Sequence, residues 1–440
     1  MEKHAINAIS ASSIRTEPTI KIGIILPQDC QIACTVSLKN TANYFSDPTL
    51  PITPEMTILI QGNGLSVAGQ SLDALRISSK SNQIAHHSGM ALDPVIAGRG
   101  FHWQKSVTMT FPGDLKFVNH KGHLLVTNEL PLEQYLMCVA TSEMGAACPP
   151  ALIAAQTIVA RSFILANAEK KHSHLGFDFC NDDCCQRYHG TEGLSQQSVR
   201  GSENTRGLVP VFDGQVCDTR YSKSCGGMIE SFQAVWGNNN PPYFKVKPDL
   251  PENSSGPDLT VESNFRDWVD NPPLAFCSPE YIPESELPEY LGGVDEEGHY
   301  YRWRIFYSQE EITRLIAQKA QRELRAIKAL IPLERGSSGR IIKLEIQAID
   351  DCGDETSIFL NSEYDIRYHL HDGFLYSSAF YVIPIENGDF PSEFFIHGGG
   401  WGHGAGLCQI GALGMSLADY DFPDIIKHYY PGITLKRLYT

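Results

Sequence analysis

Three stretches of this sequence combine residue types that do chemistry. In Leu130-Pro-Leu-Glu-Gln-Tyr-Leu-Met-Cys-Val-Ala-Thr-Ser-Glu143, helical spacing sets Leu132, Leu136, Val139 and Glu143 on one face. A carboxyl group thus stands where the pattern asks for an apolar side chain. Carboxyl groups held away from water tend to keep their proton, which is what a general acid working near neutrality requires. The next run, Ala151 to Ala166, follows Pro149-Pro150 and is apolar all round, with Arg161 its only charged residue. A buried guanidinium needs a counter-charge or a bound anion. A structural Glu143 to Arg161 ion pair satisfies the pattern as well as a catalytic pair does.

The second stretch runs from Lys170 to Gly190. His174, Cys180 and Cys185, six and five residues apart, can converge on one tetrahedral ion, and Zn²⁺ accepts such a mixture of nitrogen and sulfur. Cys184, His172 and His189 are alternates, with a water or substrate atom for the fourth position. The competing reading is a loop with chance thiols or a local disulfide, since no Cys-x-x-Cys repeat is present. The other cysteines lie singly or in loose pairs such as Cys30/Cys34 and Cys217/Cys225, where a buried free thiol is the default.

The third stretch, Gly398-Gly-Gly-Trp401-Gly-His403-Gly-Ala-Gly406, has six glycines in nine positions and leads into a helix-compatible run containing Gln409. Glycine at that density implies a backbone that comes close to something. Neither a Lys-Ser/Thr ending nor a dinucleotide spacing follows, so a phosphate cradle is disfavoured. Trp401, His403 and Gln409 suit a glycan instead, through ring stacking and hydrogen bonds to hydroxyls. Pro241-Pro242-Tyr243-Phe244-Lys245 reads equally as a rigid surface loop or as the lining of a sugar cleft.

The elements that must position these residues place the chain in the α+β class. Alternating runs at Thr19 to Leu26, Cys34 to Leu38, Thr57 to Gln61, Val107 to Phe111 and His123 to Thr127 make residues 1–115 a β-rich N-terminal region. Residues 116–248 form a mixed helix and strand core with the Glu143 helix, the Cys/His loop and strands at Leu208 to Phe212 and Gln215 to Tyr221. Residues 249–300 are rich in Pro, Glu, Asp and Ser and read as a long acidic surface excursion or a partly mobile segment. Residues 301–440 complete the core and an extended cleft. There Ser308-Gln-Glu-Glu311 opens a helix through about Ile327, with strands at Arg340 to Ala348 and Ser377 to Ile385.

Bulk properties narrow the function further. With 42% hydrophobic and 20% charged residues the chain is an ordinary globular protein. A net charge of −16 without a Lys/Arg cluster argues against nucleic acid as a partner. No apolar run approaches the ~20 residues of a membrane span. Met1 to Pro18 lacks the apolar core of a signal peptide, which fits a cytoplasmic chain or an export signal that is trimmed, mis-started or of another type.

Taken in order, Leu130-Pro-Leu-Glu-Gln-Tyr-Leu…Ser-Glu143-Met, Ala155-Gln156…Ala160-Arg161-Ser, Cys185-Gln-Arg-Tyr-His-Gly190, Cys225-Gly-Gly, Val235-Trp-Gly, Pro242-Tyr243-Phe-Lys245, Ser338-Gly-Arg340 and Gly400-Trp-Gly-His-Gly-Ala-Gly…Gln409-Ile-Gly-Ala…His428-Tyr-Tyr-Pro-Gly432 resemble the stage II sporulation protein D family. The resemblance runs from about Lys116 to the end of the sequence. Lys223 and Cys225 depart from the small hydroxylic residues usual before Gly-Gly. The resemblance implies a lytic transglycosylase of the cell envelope that cleaves peptidoglycan glycan strands stripped of stem peptides. It implies Glu143 as the single acid/base, Arg161 as its partner in the following helix, Tyr243 and Lys245 as cleft residues, and His174, Cys180 and Cys185 as ligands of a structural zinc. A second implication is a non-catalytic glycan-binding modifier of a partner cell-wall amidase.

Overall fold

In the computed structural model, residues 9–81, 84–100, 104–166, 169–182, 184–237, 240–251, 256–292 and 298–440 are described. The chain is α+β and divides into two units. One comprises Met1–Asp218, Tyr290–Val294 and Thr434–Thr440; the other comprises Thr219–Glu289 and Asp295–Ile433.

Period-two alternation builds two six-stranded sheets in the first unit. One has the order Phe179–Cys180, Thr19–Ile25, His123–Pro131, Asp114–His120, Ala74–Ser79, Tyr44–Asp47. The other has the order Gln70–Leu72, Gly64–Val67, Glu55–Gln61, Ala33–Leu38, Met90–Ala97, Lys105–Phe111. Ile22, Phe117 and Val126 of the first sheet and Val36, Ile58 and Leu92 of the second share one core. Strand His123–Pro131 runs directly into helix α1 (Leu132–Glu143), whose Leu132, Leu136 and Val139 extend the same core. Helix α2 (Pro150–Ala166) follows, then α3 (Gln196–Asn204), which starts at a reciprocal cap between Ser195 and Ser198. Strand Leu208–Phe212 pairs antiparallel with Thr434–Arg437, so the last strand of the chain returns to this unit.

The second unit carries two three-stranded antiparallel sheets. Phe390–Gly399 lies between Arg302–Ser308 and Phe380–Asn387, and Ile341–Asp350 lies between Leu324–Arg335 and Glu355–Leu360. Trp303, Ile316, Ile327, Leu344, Phe380 and Ile396 form their core.

Three readings of the sequence are corrected here. The helix opened by the Ser308 box ends at Ala320, because Gln321 turns left-handed (φ 53°) and the chain enters a strand at Leu324. Long-range pairing with Ile341–Asp350 overrides the helical pattern of residues 321–327. The acidic stretch is not a surface excursion throughout. Its helix Glu262–Asp270 turns Phe265, Trp268 and Val269 inward, where they pack with Met228, Leu259 and Tyr381. Residues 252–255 and 293–297 of that stretch lie outside the described residues. The strand expected from Gln215 to Tyr221 is reduced to Gln215–Val216 and Tyr221–Ser222. Among the described residues, no helix is long and apolar enough to cross a membrane.

Candidate functional site

The apolar stripe of α1 is fully buried at Leu132, Leu136 and Val139, and Glu143 ends the helix in a half-buried position. Glu143 Oε1 accepts a hydrogen bond from the backbone N–H of Arg187 at 3.1 Å. The backbone around Arg187 is fixed from three sides. The Tyr135 hydroxyl donates to Gln186 Oε1 (2.9 Å), the Gln186 amide donates to the Ala160 carbonyl (3.4 Å), and the Tyr188 hydroxyl donates to Asn128 Oδ1 (2.7 Å). These partners come from α1, α2 and the strand before α1, so the scaffold that orients Glu143 is the core itself.

Arg161 is wholly buried, and its partner is Glu133. Its Nε and Nη2 donate to the two carboxylate oxygens at 2.9 and 2.7 Å, the fork geometry that suits a carboxylate best. Glu133 also accepts from Ser202 Oγ (2.7 Å), the Gly207 N–H (3.2 Å) and the Tyr439 hydroxyl (2.8 Å). Burial pushes the Glu133 carboxyl upward, but Arg161, with Ser202 and Tyr439, outweighs it and holds the group below its ordinary value. The Glu143 to Arg161 ion pair considered from the sequence is thereby replaced. Arg161 lies late in α2, where it meets the start of α1 rather than its end. A guanidinium with 0% exposure is closed off from solvent and ties α2 to the start of α1. The sequence reading assigned no role to Glu133, although a lone buried Arg demands a carboxylate and Glu133 stands among apolar neighbours in the same helix.

The Cys/His loop gathers His172, Cys180, Cys184 and Cys185, with one donor atom from each within 4.8 Å of the others. Sγ of Cys185 lies 3.3 Å from His172 Nε2; Sγ of Cys184 lies 3.8 Å from the same nitrogen and 3.9 Å from Cys185 Sγ. Three thiols and an imidazole make a donor set of the type that holds a tetrahedral ion, although Cys180 Sγ lies only 2.8 Å from Cys184 Sγ and the two sulfurs would have to part to share one. Hydrogen bonds from Cys180 and then Cys185 hold the Cys184 thiol well below its ordinary range. His174 is exposed in the short turn Ser173–Leu175 and stands outside the group; His172, an alternate in the sequence reading, supplies the imidazole. His189 also stands outside it. Cys185 is followed by Gln186 and Arg187, so this loop and the anchor of Glu143 are one continuous segment.

Tyr243, Lys245, Trp401, His403 and Gln409 all belong to the second unit. Tyr243 is buried against Phe244 (ring centroids 5.4 Å apart), whereas Lys245 is exposed. Trp401 is half-buried and stacks on Tyr376 (4.4 Å, 22°). Gln409 is buried at the first turn of helix Gln409–Leu417. The His403 ring meets Trp236 edge-on at 4.7 Å, and its Nδ1 accepts the Ala405 N–H at 3.1 Å. Burial, reinforced by the Arg340, Arg367 and Arg220 guanidiniums, pushes the His403 imidazole down to about 3, so it is neutral at physiological pH.

Two glycines of this loop, Gly400 and Gly404, close on the protein's own Arg340, while Gly402 meets Ser222 and Gly406 the Arg220 carbonyl. Gly400, Gly402, Gly404 and Gly406 are all left-handed (φ 76°, 88°, 72° and 75°), and a Cβ on Gly404 would lie 2.2 Å from Arg340 Cζ. Arg340 is wholly buried and donates to the Gly402 carbonyl (3.1 Å), Ser338 Oγ (3.0 Å) and the Ser224 carbonyl (3.4 Å). The close approach inferred from glycine density is therefore met inside the fold.

With this geometry in place, the comparisons with known proteins can be set against it. Residues 120–212, which contain α1, α2, Glu143, the Glu133–Arg161 pair and the Cys/His group, match the profile of the stage II sporulation protein, SpoIID. Over residues 120–212 the chain is similar to the stage II sporulation protein D family. Residues 230–406 match a second profile, a domain of unknown function (DUF8618). An uncharacterized protein of Brachyspira hyodysenteriae is 26% identical over 326 residues, which cover 73% of this chain and 71% of that one. The amidase enhancer of Bacillus subtilis is 24% identical over 303 residues, covering 68% of this chain but 39% of that protein. The sporulation-profile match thus holds Glu143 and its support, while four of the five residues of the second unit expected to contact glycan, all but Gln409, fall in the segment of unknown function.

Proposed function

We propose that this protein is a lytic transglycosylase of the cell envelope that cleaves peptidoglycan glycan strands, with Glu143 as its single acid/base. The sporulation-profile match over residues 120–212 and the amidase-enhancer relative support the broader reading, a role at the cell wall. The observation that carries the finer reading is a half-buried carboxylate that accepts the backbone N–H of Arg187, on a loop that is itself tied to three core elements. An ordinary glycosidase needs two carboxylates across the bond. A transglycosylase manages with one, because the sugar's own 6-hydroxyl replaces water. Glu143 gives its proton to the bridging oxygen as the C1–O bond breaks. The 6-hydroxyl oxygen then bonds to C1 and returns its proton to Glu143, leaving a 1,6-anhydro end and no net use of water.

In this reading the second unit also binds glycan, exposed Lys245 meeting the lactyl carboxylates and half-buried Trp401 and His403 the sugars, while buried Tyr243 and Gln409 do not reach them. His172, Cys180, Cys184 and Cys185 would hold zinc. That ion would supply rigidity to the loop bearing Arg187 and take no part in bond cleavage. Incubating the protein with peptide-free glycan strands and analysing the products by mass spectrometry tests the proposal. The wild type yields 1,6-anhydro ends, and Glu143→Gln loses roughly 10²–10⁴ of the rate, the usual contribution of a general acid. The name of the Bacillus subtilis relative favours a second reading, a glycan-binding modifier of a partner amidase. Wild-type protein that binds strands, releases no anhydro ends and stimulates a cell-wall amidase would establish that reading instead.

A further inference from the structure

The second unit holds another set of donors outside the segment that matches the sporulation profile. Cys225, Asp249, Cys277 and Cys408 are all buried, and one donor atom from each lies within 4.8 Å of the others. They come from four separate stretches: the Cys-Gly-Gly turn, the residue after strand Lys247–Pro248, the loop after Phe276, and the residue that caps helix Gln409–Leu417. Nothing in local sequence spacing brings them together; the fold does.

We infer that Cys225, Asp249, Cys277 and Cys408 form a second, structural metal site, a closed S₃O set suited to Zn²⁺. Three observations converge on it. The Cys225 and Cys277 sulfurs are 3.7 Å apart. Two thiolates bound tetrahedrally at about 2.3 Å from one Zn²⁺ would be separated by roughly 3.8 Å, whereas a disulfide needs about 2.05 Å. Cys408 Sγ accepts the N–H groups of Cys225 (3.2 Å) and Gly411 (3.3 Å), donors that favour a thiolate at a helix start. Asp249 turns Oδ2 toward Cys225 Sγ (3.4 Å) while its Oδ1 accepts from His428 Nε2 (2.9 Å) and the Tyr429 hydroxyl (3.1 Å). Lys247 Nζ lies 3.0 Å from the other ring nitrogen of His428, so the ammonium fixes the tautomer that donates to Asp249. A carboxylate with one oxygen facing the thiols and the other held by oriented donors is the outer-shell pattern of a ligating carboxylate. Four protein donors in a dry interior leave no position for substrate, so the ion would hold structure rather than catalyse. It would tie the Cys-Gly-Gly turn and the exit of the glycine loop to Asp249 and Cys277.

The test is metal analysis of the full chain, purified without chelator, by inductively coupled plasma mass spectrometry. The wild type should carry one zinc for each cluster. His172→Ala/Cys184→Ser, which disables the first cluster, should keep one, and adding Cys408→Ser to it should remove that one. Because Cys408→Ser can also misfold, the double variant is loaded with Co²⁺ as well. Sulfur-to-cobalt charge-transfer bands with tetrahedral d–d absorption are then expected at the second site. The inference is overturned if a natively folded double variant binds neither metal. It is equally overturned if unreduced wild-type protein shows a Cys225–Cys277 disulfide, seen as a mass deficit of two hydrogens and protection of both residues from alkylation.

Discussion

Replacing Arg161 by Met is the most informative perturbation of the first unit. The methionine keeps much of the volume but deletes the charge that faces Glu133. Glu133 would retain three neutral donors, Ser202, Gly207 and Tyr439, and lose both charge-assisted ones. Removing one partner of a buried ion pair costs about 3–5 kcal/mol. In a unit of this size each kcal/mol moves the melting temperature by roughly 2–4 °C, giving a fall of roughly 6–20 °C. The pH dependence identifies the cause. In the wild type the Glu133 carboxyl is held below its ordinary 4.5, so its contribution is present above that value and is lost as pH falls through the folded pKa. In the variant burial is left to dominate, the pKa rises, and the penalty grows as pH climbs through the carboxylate range. The gap between wild type and variant is therefore widest near neutrality and closes below about pH 4.5. Hydrogen exchange of α1 and α2 peptides reads it unit by unit, which a single global transition does not. Adding Glu133→Gln to Arg161→Met should recover part of the loss, through a coupling of about 0.5–3 kcal/mol. A cost under about 1 kcal/mol, or a gap that ignores pH, would refute the pairing argument.

The other predictions are simpler. His172→Ala should lose the metal of the first cluster while His174→Ala keeps it; equal metal content in the two variants, by the same mass spectrometry, would show the imidazole was wrongly assigned. Gly404→Ala places a Cβ against buried Arg340 at a left-handed backbone position and should destabilise the second unit by about 2–4 kcal/mol in urea melts. Gly176→Ala has a similar φ, 82°, and open space around it, and should cost only the ~1–2 kcal/mol of the backbone conformation. His403 titrates near 6.5 unfolded and about 3 folded, so the second unit should lose stability as pH drops between those values. His403→Gln should flatten that acid limb relative to the wild type, measured by denaturation at a series of pH values.

The sequence made the local elements legible wherever one period dominated. Thr19–Ile25 alternates cleanly and α2 is apolar on every side, and both appear where expected. The stripe that singled out Glu143 is buried up to that residue for the same reason. What the sequence hid were partners fixed by chain crossing. Glu133 meets Tyr439 across 306 positions, and Cys225 meets Cys408 across 183, separations that no periodicity encodes. The choice of His172 over His174 was equally hidden, because a two-residue shift in a loop reverses which ring points inward without changing the spacing pattern. The glycine run implies a backbone that comes close to something, and a sequence cannot show that Arg340 is what Gly400 and Gly404 approach.

The return of Thr434–Arg437 to pair with Leu208–Phe212, followed by the Tyr439 hydroxyl on Glu133, has a bearing on biosynthesis. A ribosome delivers the halves of that pairing at opposite ends of a long wait, with the whole of the second unit emerging in between. Until then one edge of Leu208–Phe212 has no strand to meet, and the Glu133 carboxylate lacks one of its donors. Exposed strand edges invite mispairing and nascent domains generally fold as units, so this architecture delays completion of the Glu143 scaffold until Thr434–Arg437 and Tyr439 have emerged.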